Sequence, residues 1–202
     1  MKLLEENHHT PSGESQGGFA AFVDDCRSGS IADGPRKFER LRYVNHSDDR
    51  SLPLANCELA DSELRGMHIV SDWREVRLSR CDLAHTRGKA IWTRVSMTHT
   101  SLHHLMAEVH ATSCTFKRCD FKRSFLWSPV FLDCHFVHCN FLGAVFKSPR
   151  FVNCRFSEVN LDKTHWEGPL HLEITGTWSG EANPESTSDA HKVFNPGGKP
   201  YA

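Results

Sequence analysis

A chain of 202 residues carrying 24 Lys and Arg against 25 Asp and Glu is long enough for one domain with a sizeable core. That balance excludes a globally basic nucleic-acid binder and a strongly acidic mimic, while the 14 histidines make the charge climb below neutral pH. No apolar run approaches the roughly 18–20 residues that span a bilayer, and "MKLLEENHHTPSGESQGG" lacks the apolar core of a signal peptide, so a cytoplasmic protein with reduced cysteines and no membrane contact is expected.

In chain order, residues 1–18 are polar and read as a flexible N-terminal tail. Residues 19–53 mix the apolar stretch Phe19–Val23 with turn-rich text and then Phe38, Leu41, Tyr43 and Val44, which reads as a small N-terminal cap with one short helix. From residue 54 a large apolar residue recurs every fifth position: Leu54, Leu59, Leu64 and Ile69, then in a new phase Trp73, Leu78 and Leu83. Residues 84–113 are less regular, keeping only Trp92, Met97 and Leu102, and a loop or a register slip is expected there. The clean part follows without a miss: Phe116, Phe121, Leu126, Phe131, Phe136, Phe141, Phe146, Phe151, Phe156, Leu161 and Trp166. The repeat segment is taken as 54–178, and 179–202, rich in Gly, Pro and Ser, as a flexible C-terminal tail.

A period of five fits neither regular element. On a helix successive hits spiral around the surface, and on a straight strand an odd step sends each to the opposite face. A constant inward direction requires the chain to turn once per unit, with residues i−2 and i facing inward at strand spacing. The i−2 column is compact throughout: Cys114, Cys119, Ser124, Pro129, Cys134, Cys139, Ala144, Pro149 and Cys154. "LWSPVFLDCHF" aligns with "FKSPRFVNCRF" at an offset of 20 residues, which gives four units per coil and coils stacked at about 4.8 Å. Phe116, Phe136 and Phe156 then share one interior ladder, Phe121, Phe141 and Leu161 the next, Leu126, Phe146 and Trp166 the third, and Phe131 and Phe151 the fourth.

"LANCELADSELRG" (54–66), "CDLAH" (81–85), "CTFKRCDFKRS", "CHFVHCNFLGA" and "CRFSEVNLDK" resemble the pentapeptide repeat family over about 54–166. The resemblance implies an all-β fold, a right-handed quadrilateral β-helix with Leu or Phe ladders inside. It also implies a bacterial, non-catalytic protein-binding module. Family members bind DNA gyrase or topoisomerase IV and protect them from quinolones or toxins, which is antibiotic resistance, partly by imitating DNA; many dimerise through a C-terminal helix. Here 54–166 holds 15 basic and 11 acidic residues, about +4, and 167–202 shows no amphipathic helix, so direct mimicry and a homodimer lack support. A scaffold or secreted effector that binds another cellular protein is the alternative.

No G-x-S-x-G, P-loop, dinucleotide glycine pattern or H-E-x-x-H is present, so no catalytic residue, cofactor or metal site is assigned. Seven of the eight cysteines fall in the i−2 column and read as small packers; Cys26 lies outside it. His99, His103, His104 and His110 cluster in sequence, and on a helix His99 and His103 would share a face. Lys117, Arg118, Lys122 and Arg123 point outward as a basic corner that suits an acidic partner or, less well, a nucleic-acid backbone. Phe125, Trp127, Val130, Leu132, Val145 and Val152, with Val137 and Leu142, take outward positions and form an apolar patch. Either the N-terminal region, the strand 170–178 ("LHLEITGTW"), or a partner protein covers it.

Overall fold

The computed structural model describes residues 35–42, 53–180 and 192–194. Among these, regular structure is β-strand alone, in one sheet paired in parallel throughout and wound into a solenoid of about seven turns. The winding originates in single residues. At most corners the chain enters the left-handed region two positions after the inward ladder residue, as at Arg118 (φ 53), Arg123 (φ 55), Ser128 (φ 45) and Asp133 (φ 54). That one dihedral bends the strand so that the next pair again faces inward. The N–H of the corner residue then bonds the following coil: Arg118 to the Val137 carbonyl at 2.7 Å, Arg123 to Leu142 at 3.0 Å and Ser128 to Lys147 at 2.7 Å.

The coil registers define four faces. Leu54, Trp73, Trp92, Ala111, Phe131, Phe151 and Leu172 stack on the first. Phe38, Leu59, Leu78, Met97, Phe116, Phe136 and Phe156 stack on the second. On the third, bridges from Glu63 through Asp82, Ser101, Asp120 and Asn140 to Asn160 align Leu64, Leu83, Leu102, Phe121, Phe141 and Leu161. The fourth holds Ile69, Gly88, Ala107, Leu126, Phe146 and Trp166.

Coil length changes along the rod. Partners are 20 residues apart in the C-terminal coils, as at Phe116–Phe136, but 19 apart at Leu54–Trp73, Trp73–Trp92 and Trp92–Ala111. The missing residue belongs to the corner between the fourth and first faces. Ile69 to Trp73, Gly88 to Trp92 and Ala107 to Ala111 are four-residue steps, and the strands His68–Ser79, Arg87–Thr93 and Met106–Thr112 run straight through that corner. From Ser128 onward a positive-φ residue restores it, followed by Ser148 and Gly168. The loop expected over 84–113 is therefore absent: these residues are ordinary coil, and the slip is one residue per turn.

The expected boundaries also move. Arg36–Glu39 pairs with Cys57–Ala60, and Phe38 and Leu41 are buried, so the solenoid begins before residue 54. At the far end His171–Ser179 continues the coil, and Lys192–Phe194 pairs with Leu172–Ile174, so the expected flexible tail from 179 supplies a strand. The expected tail 1–18, the helix of the cap and Cys26 lie outside the described residues.

Interior rings stack between coils and meet edge-on within them, the two favoured aromatic arrangements. Phe116 stacks on Phe136 at 4.9 Å, Phe121 on Phe141 at 4.6 Å, Phe131 on Phe151 at 4.8 Å and Phe146 on Trp166 at 4.4 Å. Phe136 also meets Phe131 at 5.3 Å and Phe141 at 5.7 Å, near perpendicular. In the shortened coils the interior narrows, and Gly88 occupies a ladder position with φ +123, where a Cβ would fall 2.2 Å from the Ile69 carbonyl oxygen.

Phe136→Ala removes a ring stacked and edged by its neighbours, and urea unfolding should show a loss of about 3–5 kcal/mol, with Phe136→Leu losing clearly less. Gly88→Ala should be destabilising although it adds only a methyl group, because backbone rather than side chain must move.

Candidate functional site

With the interior filled, any site must be assembled from outward columns. The fourth face places Met106, Phe125 and Val145 in one column, continuing to His165. The first face places Leu132 beside Val152, and Val130 beside His110 and Arg150. Trp127 neighbours Lys147 and stands 6.1 Å, ring to ring, from Phe125. These residues wrap the corner at Ser128 as an apolar ridge. Phe125, Trp127, Val130, Leu132, Val145 and Val152 are half-buried by their column neighbours, whereas Met106 (51%), Val70 (50%) and Ile91 (39%) are exposed. Met106 extends the ridge one coil toward the N-terminus, and Ile91 stands one coil farther, with His110 between it and Val130; sequence reasoning missed them because the four-residue step hid their phase. Val137 and Leu142 fall on the second and third faces, away from the ridge. The strand within 170–178 does not cover it, since it stacks end-on upon Arg150–Asn160.

The four basic residues do not surround one corner. Lys117 ends the second face, Arg118 is the corner to the third, Lys122 lies on the third face and Arg123 is the corner to the fourth. They bracket the third face along a single coil. Their environment differs from that of the earlier coils, where Arg42 pairs with Glu63, Arg65 with Asp82, Arg77 with Glu58 and Arg80 with Asp61 at 3.3, 3.4, 2.7 and 2.6 Å. The Arg80 hydrogen bond holds the Asp61 carboxyl below its usual value. Farther along, carboxylates face imidazoles instead: His110–Glu108, His138–Glu158, His165–Glu167 and His171–Glu173 at 2.9–3.2 Å. Lys117, Arg118, Lys122 and Arg123 have no ion-pair partner among the described residues.

His99 and His103 do not share a helix face, because the segment is part of the solenoid. His99 is a corner residue touching Arg118 at 3.3 Å, and His110 lies on the first face beside Glu108. His103 and His104 instead gather with His85 of the preceding coil, ring centroids 4.0–5.8 Å apart. No metal-holding group of His, Cys, Asp or Glu occurs among the described residues.

The seven described cysteines are buried. Each sulfur of the repeat sits over backbone carbonyls that the corners turn inward: Cys114 Sγ donates toward Trp92 and Thr112, Cys139 toward Phe116 and Cys154 toward Phe131, at 3.2–3.4 Å. Cysteine suits this column because it is small and still offers a weak donor. Burial pushes the Cys81 thiol up, and the Cys114 and Cys154 thiols, with burial, push Cys134 up. Covered by the coils, these sulfurs are closed to reagents in solution. A thiol reagent such as Ellman's should leave all seven unmodified in the native protein and titrate them on unfolding in guanidinium; rapid native labelling of Cys119 or Cys139 would contradict this packing.

Residues 133–163 match the family model described as pentapeptide repeats (8 copies). Among solved structures, trypsin-treated QnrB1, a plasmid-mediated fluoroquinolone resistance protein, is 8% identical, with 72% of this chain and 83% of that chain covered at a TM-score of 0.29. The pentapeptide repeat protein Rfr23 from the cyanobacterium Cyanothece 51142 is 14% identical, with 72% and 85% covered at 0.17. No curated protein matches the chain. Four-sided coils with one inward ladder residue per five agree with the pentapeptide-repeat model that residues 133–163 match.

Proposed function

We propose that this protein is a non-catalytic binding module that docks another protein on the apolar ridge at the corner of the fourth and first faces. The observation that carries this reading is the register of the ridge: Met106, Phe125 and Val145 follow one another on successive coils, with Leu132 and Val152 around the corner. Backbone polar groups beneath it are already bonded coil to coil. What the ridge offers a partner is therefore apolar side-chain area, the feature that marks interaction surfaces.

The family likeness suggests a type II topoisomerase as the partner, DNA gyrase before topoisomerase IV, with protection from quinolone-type drugs as the consequence. The 15 basic and 11 acidic residues of 54–166 favour docking by the ridge over imitation of a DNA duplex. The same charge pattern favours, as a second reading, a scaffold or effector that grips a different cellular protein through the ridge.

Purified gyrase supercoiling DNA in the presence of a quinolone distinguishes the two. Protection by the protein, lost in Trp127→Glu while circular dichroism and melting stay unchanged, is the expected result. Neither protection nor measurable binding to gyrase removes the topoisomerase; protection that survives both Trp127→Glu and Phe125→Glu removes the ridge as its interface.

A further inference from the structure

The third face carries a second, chemically different surface. Its coils are 19 residues apart here, so Arg118, Lys122 and Arg123 stand directly over His99, His103 and His104, residue upon residue. Backbone bonds from His99 N–H to the Lys117 carbonyl at 2.9 Å and from His104 N–H to the Lys122 carbonyl at 3.0 Å fix the register. Arg118 Nη1 lies 3.3 Å from His99 Nε2. One coil earlier, the His85 ring stacks on His104 at 5.0 Å and 11°.

The carboxylates around these rows are committed elsewhere. Asp120 Oδ1 accepts the Lys122 N–H at 3.0 Å, Asp82 pairs with Arg65, Asp61 with Arg80 below His99, and Glu158 with His138 above Arg118. Above Arg123 the coil carries Gly143, which brings no side chain, and Arg123 is exposed. The row of fixed cations thus has no ion-pair partner among the described residues, and a row of imidazoles lies beside it.

We propose that the third face between Arg118 and Arg123 is a docking platform for single-stranded nucleic acid, whose grip strengthens in mild acid. Phosphates lie on the Arg118–Lys122–Arg123 row, where guanidinium forks suit them. A base stacks on the outer face of the His85–His104 pair, a contact that tolerates any sequence. The ring platform is what favours a nucleic acid over an acidic peptide, which has nothing to stack there. The proton linkage follows from the neighbours: burial first, then the His103, His85 and Arg123 charges, hold His104 below its usual pKa. In the free protein that imidazole is neutral at pH 7. A bound phosphate favours its charged form, so binding takes up protons and lower pH tightens it.

The test is fluorescence anisotropy of a labelled oligothymidylate of about 15 nucleotides with the full chain, near pH 7.5 and near pH 5.5 at fixed salt. The expected result is binding about tenfold tighter at the lower pH. Arg118→Gln with Lys122→Gln and Arg123→Gln should weaken it at both pH values, with Lys122→Gln alone as the variant least able to disturb folding. His85→Asn with His103→Asn and His104→Asn should flatten the pH dependence, asparagine being tolerated in the left-handed region that His85 and His104 occupy, while Trp127→Glu on the ridge changes nothing. No binding at either pH, indifference to Lys122→Gln, or a polyglutamate peptide competing as well as the oligonucleotide at equal charge would each overturn the assignment.

Discussion

A chain that turns inward once every five residues must place one residue per unit in the left-handed region, which costs an L-residue about 1–2 kcal/mol. Nineteen non-glycine residues of the described coils stand there, from Arg40 to Lys163. Two contributions offset that cost. Corner N–H groups are aimed at the next coil's carbonyls, as from Arg94 to Thr112 and from His138 to Ser157 at 3.0 and 2.8 Å, or at the Thr177 hydroxyl from Glu158 at 2.9 Å. Each corner also returns the ladder residue to an interior where aromatic rings stack face to face. The corner side chains themselves point outward and make no demand on the fold, so Arg, His, Asp, Ser and Lys are interchangeable in that role. Architecture and surface chemistry are thereby separated at the level of single positions.

That separation explains what could be read without coordinates. The ladder over 116–166 was legible because its occupants are large and apolar at a fixed step, and the repeated Ser-Pro at 128–129 and 148–149 gave the length of the C-terminal coils. The cysteines were legible as packers because they keep the same phase. Residues 84–113 were not, for two physical reasons. The short coils drop one residue at a single corner, shifting the phase each turn, and their narrow interior takes Gly88, Ala107 and Ala111 where a large residue would have announced the ladder. The four-residue step from Ile69 to Trp73 was the available signal. Losing the phase also hid Met106 and Ile91 from the apolar ridge and left His99, His103 and His104 without a place, although a 19-residue offset puts them under Arg118, Lys122 and Arg123.

Charge is distributed on the same principle. Exposed pairs such as Arg80–Asp61 contribute at most about 1 kcal/mol and are not what holds the coils together. The layout of charges along the rod is therefore free of the fold. Toward the N-terminus, guanidiniums meet carboxylates of the adjacent coil; toward the C-terminus, carboxylates meet histidines, leaving Lys117, Arg118, Lys122 and Arg123 without ion-pair partners among the described residues. An interior of stacked phenylalanines maintains the spacing of these columns whatever ions they carry.

Lateral backbone groups are bonded coil to coil, so recognition along the rod falls to side chains held at the coil spacing. The apolar ridge and the basic row are close in that grid: Arg123 forms the corner between the third and fourth faces, Phe125 begins the fourth, and Trp127 ends it before the corner at Ser128. One unit of the repeat thus carries a cation and two aromatic side chains on neighbouring surfaces. A body docked on the ridge lies against the edge of the basic row, whereas substitutions at Trp127 and at Lys122 alter surfaces of different chemistry on different faces. The two surfaces are separable by mutation and contiguous in space, a combination that follows directly from turning the chain once every five residues.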